Sequence, residues 1–255
     1  MIAKIGSGAH AAPGVEILVF SNEEKLRGGV LVERRIWLTG CTLMAYVGWA
    51  ALSPPRVRAA APPEQSPEAG SQSQFLPLFP LGIVAFPGEL VLLHIFEPRY
   101  KQLIAESADS GSSFGIVTVV PGGASSVGTE MRFDRLLGVD DTGAMDIATR
   151  GIRAFQLNSF QRVVQGKLYS GGQVSFGKND PTVEPELEGA LVQLYNRLQY
   201  RSGSRKQLAA PYAENLSFLI GHDVGLSQAQ ELQLLTMSAE YKRQAYLFQH
   251  LLRTQ

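Results

Sequence analysis

Residues 90–100 read LVLLHIFEPRY, and the chain changes character within them. LVLLHIF is a short apolar run of buried-strand length. Glu97-Pro98-Arg99-Tyr100 follows, and Pro98 suits the first position of a helix, where a missing N–H costs no bond. Tyr100, Leu103, Ile104 and Ser107 then fall on one face at helical spacing. The reading is a strand that runs directly into an amphipathic helix.

Downstream the strand signal repeats at close intervals. FGIVTVV at 114–120 is rich in β-branched residues and ends at the turn Pro121-Gly122-Gly123. Residues 131–139, 145–149 and 152–164 are three more strand candidates, separated by turns at Asp140-Asp141-Thr142-Gly143 and Arg150-Gly151. Residues 167–176 give another, and 177–185 (GKNDPTVEP) read as a hinge. Asp140 and Asp141 are most simply turn formers. Closely spaced strands around one early helix predict a compact, barrel-like sheet.

After Glu186 the period becomes helical. Leu187, Leu191, Leu194, Tyr195 and Leu198 mark one helix; Tyr212, Leu216, Leu219 and Ile220 mark a short one stopped by Gly221. Ser227 with Gln230 three residues on matches a capping box and starts a third helix, with Leu232 and Leu235 on its inner face. A last amphipathic helix carries Tyr241, Leu247, Phe248, Leu251 and Leu252. The expected class is α+β, with a β-rich subdomain at 75–178 and a helical bundle at 186–255.

Upstream, Leu76-Pro77-Leu78-Phe79-Pro80-Leu81 is apolar but broken by prolines, which offer no N–H to a ladder. It is expected at a sheet edge or at a strand's entry into one. Residues 1–74 do not resemble the rest. Residues 1–35 show no sustained period, 36–52 form an uncharged run (IWLTGCTLMAYVGWAAL), and 53–74 are rich in Pro, Ala, Ser and Gln. That composition reads as a poorly ordered head ending in a linker. The 17-residue run reaches the lower limit for crossing a bilayer, roughly 17–25 residues, so membrane contact or export through 36–52 stands as the alternative to a cytoplasmic protein.

Charge and metal chemistry narrow the function. The chain holds 23 basic and 23 acidic residues, and 16 and 17 of these lie from Phe75 onward. A nucleic-acid binder normally shows a basic excess, so that class loses ground. One cysteine, Cys41, excludes an internal disulfide, and the four scattered histidines show no ligand spacing. No metal and no cofactor is expected.

Several ordered segments resemble one family. They are Leu76-Pro77-Leu78-Phe79-Pro80-Leu81, Phe86-Pro87-Gly88-Glu89 and His94-Ile95-Phe96-Glu97-Pro98-Arg99-Tyr100. Then come Phe114-Gly115-Ile116-Val117, Val127-Gly128-Thr129 and Met145-Asp146-Ile147-Ala148-Thr149-Arg150-Gly151. Together they look like the N-terminal substrate-binding domain of Lon proteases over roughly 75–252. Tyr169-Ser170-Gly171-Gly172-Gln173-Val174 stands where that family has a proline before the tyrosine, and Leu168 replaces it here. The resemblance implies a PUA-like β pseudo-barrel followed by helices. It also implies a non-catalytic module that binds unfolded or exposed polypeptide, an adaptor in protein quality control with a protease or chaperone as a further partner.

A Lon ATPase would show G-x-x-x-x-G-K-[ST], whose backbone amides cradle phosphates. Gly203-Ser204-Arg205-Lys206 is the nearest echo and lacks the first glycine and the final hydroxyl residue. A chain ending at Gln255 leaves no room for either module, so no catalytic residues are expected. His94 reads as a structural histidine, and Glu97 is expected to pair with a strand arginine such as Arg150, in a structural network with Arg99 and Tyr100. Phe79, Phe86 and Phe96 read first as core. Polypeptide binding needs exposed apolar surface or an open strand edge. The candidate surface is therefore Leu76, Pro77, Phe79, Pro80, Phe86 and Pro87. The competing class is RNA binding, which PUA-like folds support, with Arg197, Arg201, Arg205 and Lys206 as the clustered cations.

Overall fold

The computed structural model describes residues 15–19 and 73–254. The apolar run 36–52 and nearly all of the linker lie outside the described residues. Seven strands form one sheet in the order β1-β3-β6-β5-β4-β2-β7, and β7 pairs back onto β6. These are β1 (Val15–Val19), β2 (Gln74–Leu81), β3 (Leu90–Ile95), β4 (Phe114–Val120), β5 (Gly123–Val139), β6 (Met145–Gln161) and β7 (Ser170–Ser175). The β6–β7 pairing closes β6, β5, β4, β2 and β7 into a five-stranded barrel, while β3 and β1 extend the sheet beyond it.

The long strand β6 makes this possible. Its first half pairs with β3 (Leu90↔Arg150 to Ile95↔Met145) and its second with β7 (Gln156↔Ser175 to Gln161↔Gly171). Arg150-Gly151, expected as a turn, therefore lies mid-strand. Gly151 is needed for a different reason: a Cβ there would sit 2.2 Å from the carbonyl oxygen of Phe86. The loop after β2 packs directly on that backbone.

β2 also departs from expectation. It has a neighbour on each side, antiparallel β7 over Gln74–Leu78 and parallel β4 over Leu78–Leu81, overlapping only at Leu78. Each proline thus lies in a half-strand with one neighbour, where a missing N–H can face the unpaired side. Inside the barrel, Leu76, Leu78, Val117, Phe155 and Val174 form a small core. The Phe155 ring fills the room that side chains at Gly115 and Gly128 would take.

Helix α1 (Pro98–Ser110) starts with Pro98 in its first turn and buries Tyr100, Leu103, Ile104 and Ser107, the face read from the sequence. It covers the sheet through a second core with Phe79, Leu93, Ile95, Phe114 and Ile147. Four helices follow: α2 (Pro185–Arg201), α3 (Leu216–Ile220), α4 (Gln228–Thr236) and α5 (Glu240–Arg253), with a 3-10 turn at Gly221–Val224. Both bonds of the Ser227–Gln230 capping box are present. Leu234 and Leu235 are the buried leucines of α4, and Leu232 is only partly covered.

The bundle is not a separate body. Its core takes in Val84 and Phe86 from the loop after β2 and Val127 from β5. The segment read as a hinge is also stitched down: Asp180 N–H donates to Ser238 O (2.7 Å) and Glu240 N–H donates to Asp180 O (2.9 Å). Arg243, 1% exposed, completes this seam. Its guanidinium donates to Glu240, Asn179 and the Met237 carbonyl and lies 4.3 Å from the Phe218 ring centre. A buried charge is tolerable only with such full pairing. Within the head, Val15–Val19 forms β1, a strand the sequence reading did not find.

Candidate functional site

Two motif segments flank the two ends of β3. In Phe86-Pro87-Gly88-Glu89, the Glu89 carboxylate accepts from the Phe86 N–H (2.8 Å), and Gly88 N–H donates to Gly151 O (3.0 Å). This turn presents the Phe86 ring to the bundle, where it stacks on His222 (centroids 4.4 Å) and Phe218 (5.3 Å). His222 sits between two carboxylates, with Nδ1 2.7 Å from Glu231 and Nε2 3.3 Å from Glu89. Burial alone would push this imidazole down. The attraction of Glu89, with the bonds to Glu231 and Glu89, overrides it and raises the pKa to about 10. His222 is therefore charged at neutral pH and ties barrel to bundle.

At the other end, His94 Nδ1 lies 2.8 Å from Asp146, its partner across the β3–β6 ladder. Glu97 accepts from Arg99 Nε at 2.6 Å, and the Arg99 guanidinium lies 4.6 Å from the Tyr100 ring centre. Arg150 is not in this group. Glu97 follows Ile95, which pairs with Met145, whereas Arg150 pairs with Leu90 at the far end of the same ladder. The register separates the two residues expected to meet.

One run of exposed apolar residues lies at a third place. β5 pairs with β4 only as far as Phe114↔Met131, and among the described strands residues 132–139 continue with β6 alone. Leu136 (51%), Leu137 (48%) and Val139 (57%) are exposed there in near succession. Open clefts among the described residues include two elsewhere on the surface. One, about 450 Å³, lies by Glu106, Lys167 and Tyr169; the other, about 590 Å³, lies between α4 and α5 and is lined largely by Gln, Lys242, His250 and Arg253. Among the described residues no group of three or more His, Cys, Asp or Glu is placed to hold a metal ion. Among them, too, no helix is long and apolar enough to cross a membrane.

The model of the ATP-dependent protease La (LON) substrate-binding domain matches residues 75–253. The chain belongs to the LON substrate-binding domain family. A Lon N-terminal domain protein from Xanthomonas campestris shares 27% identity at a TM-score of 0.56, covering 69% of this chain and 98% of that one. The N-terminal domain of a Mycobacterium avium complex Lon protease shares the fold at 18% identity and a TM-score of 0.54, covering 70% and 98%. A comparison with the curated proteins finds no match.

Within this LON domain the residues read as a binding surface are mostly interior. Leu76, Phe79 and Phe86 are at most 2% exposed, and Pro77, Pro80 and Pro87 are partly covered. The prolines suggested an open edge, but β7 and β4 flank that strand. Phe96, read as core, stands 44% exposed beyond the end of β3, tilted against His94. Of the clustered cations, Lys206 is held by Asp223 (3.3 Å), while Arg197, Arg201 and Arg205 are exposed. The reading missed the end of β5. A signal existed: Leu136-Leu137 breaks the alternation a one-faced strand requires, and the β5 sequence is far longer than β4 can pair with.

Proposed function

We propose that this LON domain binds unfolded or exposed polypeptide without acting on it chemically, and serves as an adaptor that delivers such segments to a protease or chaperone. The observation that carries this reading is the exposed apolar run Leu136, Leu137 and Val139 on a substrate-binding domain. Apolar side chains this open, so close together along one strand, mark a surface made to be covered. In the cleft beside α1, Lys167 and Tyr169 are both bonded to Glu106, an ordinary structural grouping. The test is fluorescence anisotropy of the full chain with reduced, carboxymethylated lactalbumin against the native folded form. Tight binding to the unfolded form alone is expected, and equal affinity for both overturns the proposal.

A further inference from the structure

We propose that the open edge of β5, residues 132–139, takes up an extended polypeptide segment as an added antiparallel strand. This rests on the reading of the chain as a polypeptide-binding module and names where and how the segment is held. An unpaired edge turns alternate N–H and C=O groups outward, a template for another strand. No described strand lies beside these residues on the side away from β6.

Proteins normally blunt such an edge with charge, proline or bulges. The first part is guarded in this way, by Arg132, Asp134 and Arg135, with a ladder irregularity between Phe133 and Arg135. The last part has a second ladder irregularity, between Leu136 and Gly138, but Leu136, Leu137, Gly138 and Val139 carry neither charge nor proline.

The register states what the occupant must offer. Leu93 pairs with Ile147, which pairs with Leu136; Ile95 pairs with Met145, which pairs with Val139. Two apolar rows thus cross the sheet side by side. They begin fully buried at Leu93 and Ile95 and run out into solvent at β5. A further strand with apolar residues two apart extends both rows by one and covers Leu136 and Val139.

The opposite edge of this sheet shows the same event within one chain. There β3 pairs antiparallel with Val15–Val19, VEILV, which residues 20–73 separate from the domain in sequence. That edge has accepted a five-residue, apolar-rich extended segment from a remote part of the chain. Among the described residues, the β5 edge has no such strand beside it.

The test is hydrogen–deuterium exchange of the full chain with and without reduced, carboxymethylated lactalbumin. Amides of residues 132–139 are expected to slow on binding while those of β2 and α5 do not change. The double variant Leu136→Lys, Val139→Lys is expected to weaken binding about tenfold or more with an unchanged unfolding midpoint, since both side chains are exposed. A ten-residue peptide of alternating Val and Thr should bind, and its backbone N-methylated form should not, because it keeps the side chains and loses the ladder. Binding with protection confined to another surface, or N-methylated peptide binding equally, overturns the strand addition and leaves polypeptide binding standing. No binding of lactalbumin or peptide overturns both. A free chain that sediments as a dimer with residues 132–139 already protected assigns the edge to a second copy and overturns the proposal.

Discussion

The imidazole of His222 lies against the ring of Phe86 with 4.4 Å between centroids, joining the bundle to the loop that follows β2. The contact is electrostatic as well as apolar, because Glu89 comes from the barrel side and Glu231 from α4. Both carboxylates are nearly buried, so their stability depends on the charge between them.

The charged imidazole predicts an alkaline limit to stability. His222 holds its proton more tightly folded, with a pKa of about 10, than at its ordinary 6.5. Its contribution is whole below the ordinary value and is lost as pH rises through about 10. Urea unfolding midpoints should fall between roughly pH 7 and pH 10. His222→Gln should lower stability at neutral pH by on the order of 3 kcal/mol, because it leaves two buried carboxylates without their cation, and should flatten this slope. An unchanged slope in the variant counts against the tie.

Phe86 supplies the apolar part of the same junction. It is fully buried and touches Phe218 and His222. Phe86→Ala should cost about 3–5 kcal/mol in urea unfolding and speed amide exchange first in α3 and Gly221–Val224. Phe86→Leu should cost distinctly less, since most of the cavity is filled.

How much of this was legible follows from the range of each cause. Helix α1 and the Ser227–Gln230 cap were readable because their signals, a proline at the helix start and a reciprocal pair three residues apart, act within one turn. Gly151 was misread because its cause is the Phe86 backbone, more than sixty residues away, and Arg150-Gly151 in isolation has turn composition. The Glu97–Arg150 pairing failed because register along β3 and β6 is not visible in either strand alone. His222 carried no signal at all: Glu89 is 133 residues distant. The open edge of β5 was half legible, as an excess of strand length over what β4 can pair.

Two glycines without left-handed backbones separate space from flexibility. Gly151→Ala drives a Cβ into the Phe86 carbonyl, 2.2 Å away, and Gly151 N–H also donates to Glu89 O at 2.9 Å. The loop must shift, and a loss of about 3 kcal/mol is expected in urea unfolding, at the upper end for overpacking. Gly189→Ala, inside α2 with nothing within 4 Å, should instead stabilise by about 1 kcal/mol, because alanine restricts the unfolded chain and favours helix. The same sign for both substitutions would refute the packing argument.

Glu106 on α1 gathers the β6–β7 connection beneath the helix. Its carboxylate accepts from Lys167 Nζ (2.8 Å), Tyr169 Oη (2.6 Å) and Gln102 Nε2 (3.0 Å). The Lys167 bond, then the Tyr169 bond, hold the carboxyl below its ordinary range. Burial and the same bond push the Tyr169 phenol up to about 12. The carboxylate therefore contributes stability above the ordinary glutamate pKa that is lost as pH falls, and the phenol contributes stability below pH 10 that is lost as pH rises through about 12. Glu106→Gln removes the charge from both couplings at once. It should flatten the acid side of the stability profile and lower the pH at which Tyr169 ionises, read as tyrosinate absorbance against a Tyr169→Phe control. A Tyr169 titration that does not move in Glu106→Gln would show that burial alone sets it, and that the helix is held to the connection by something other than this carboxylate.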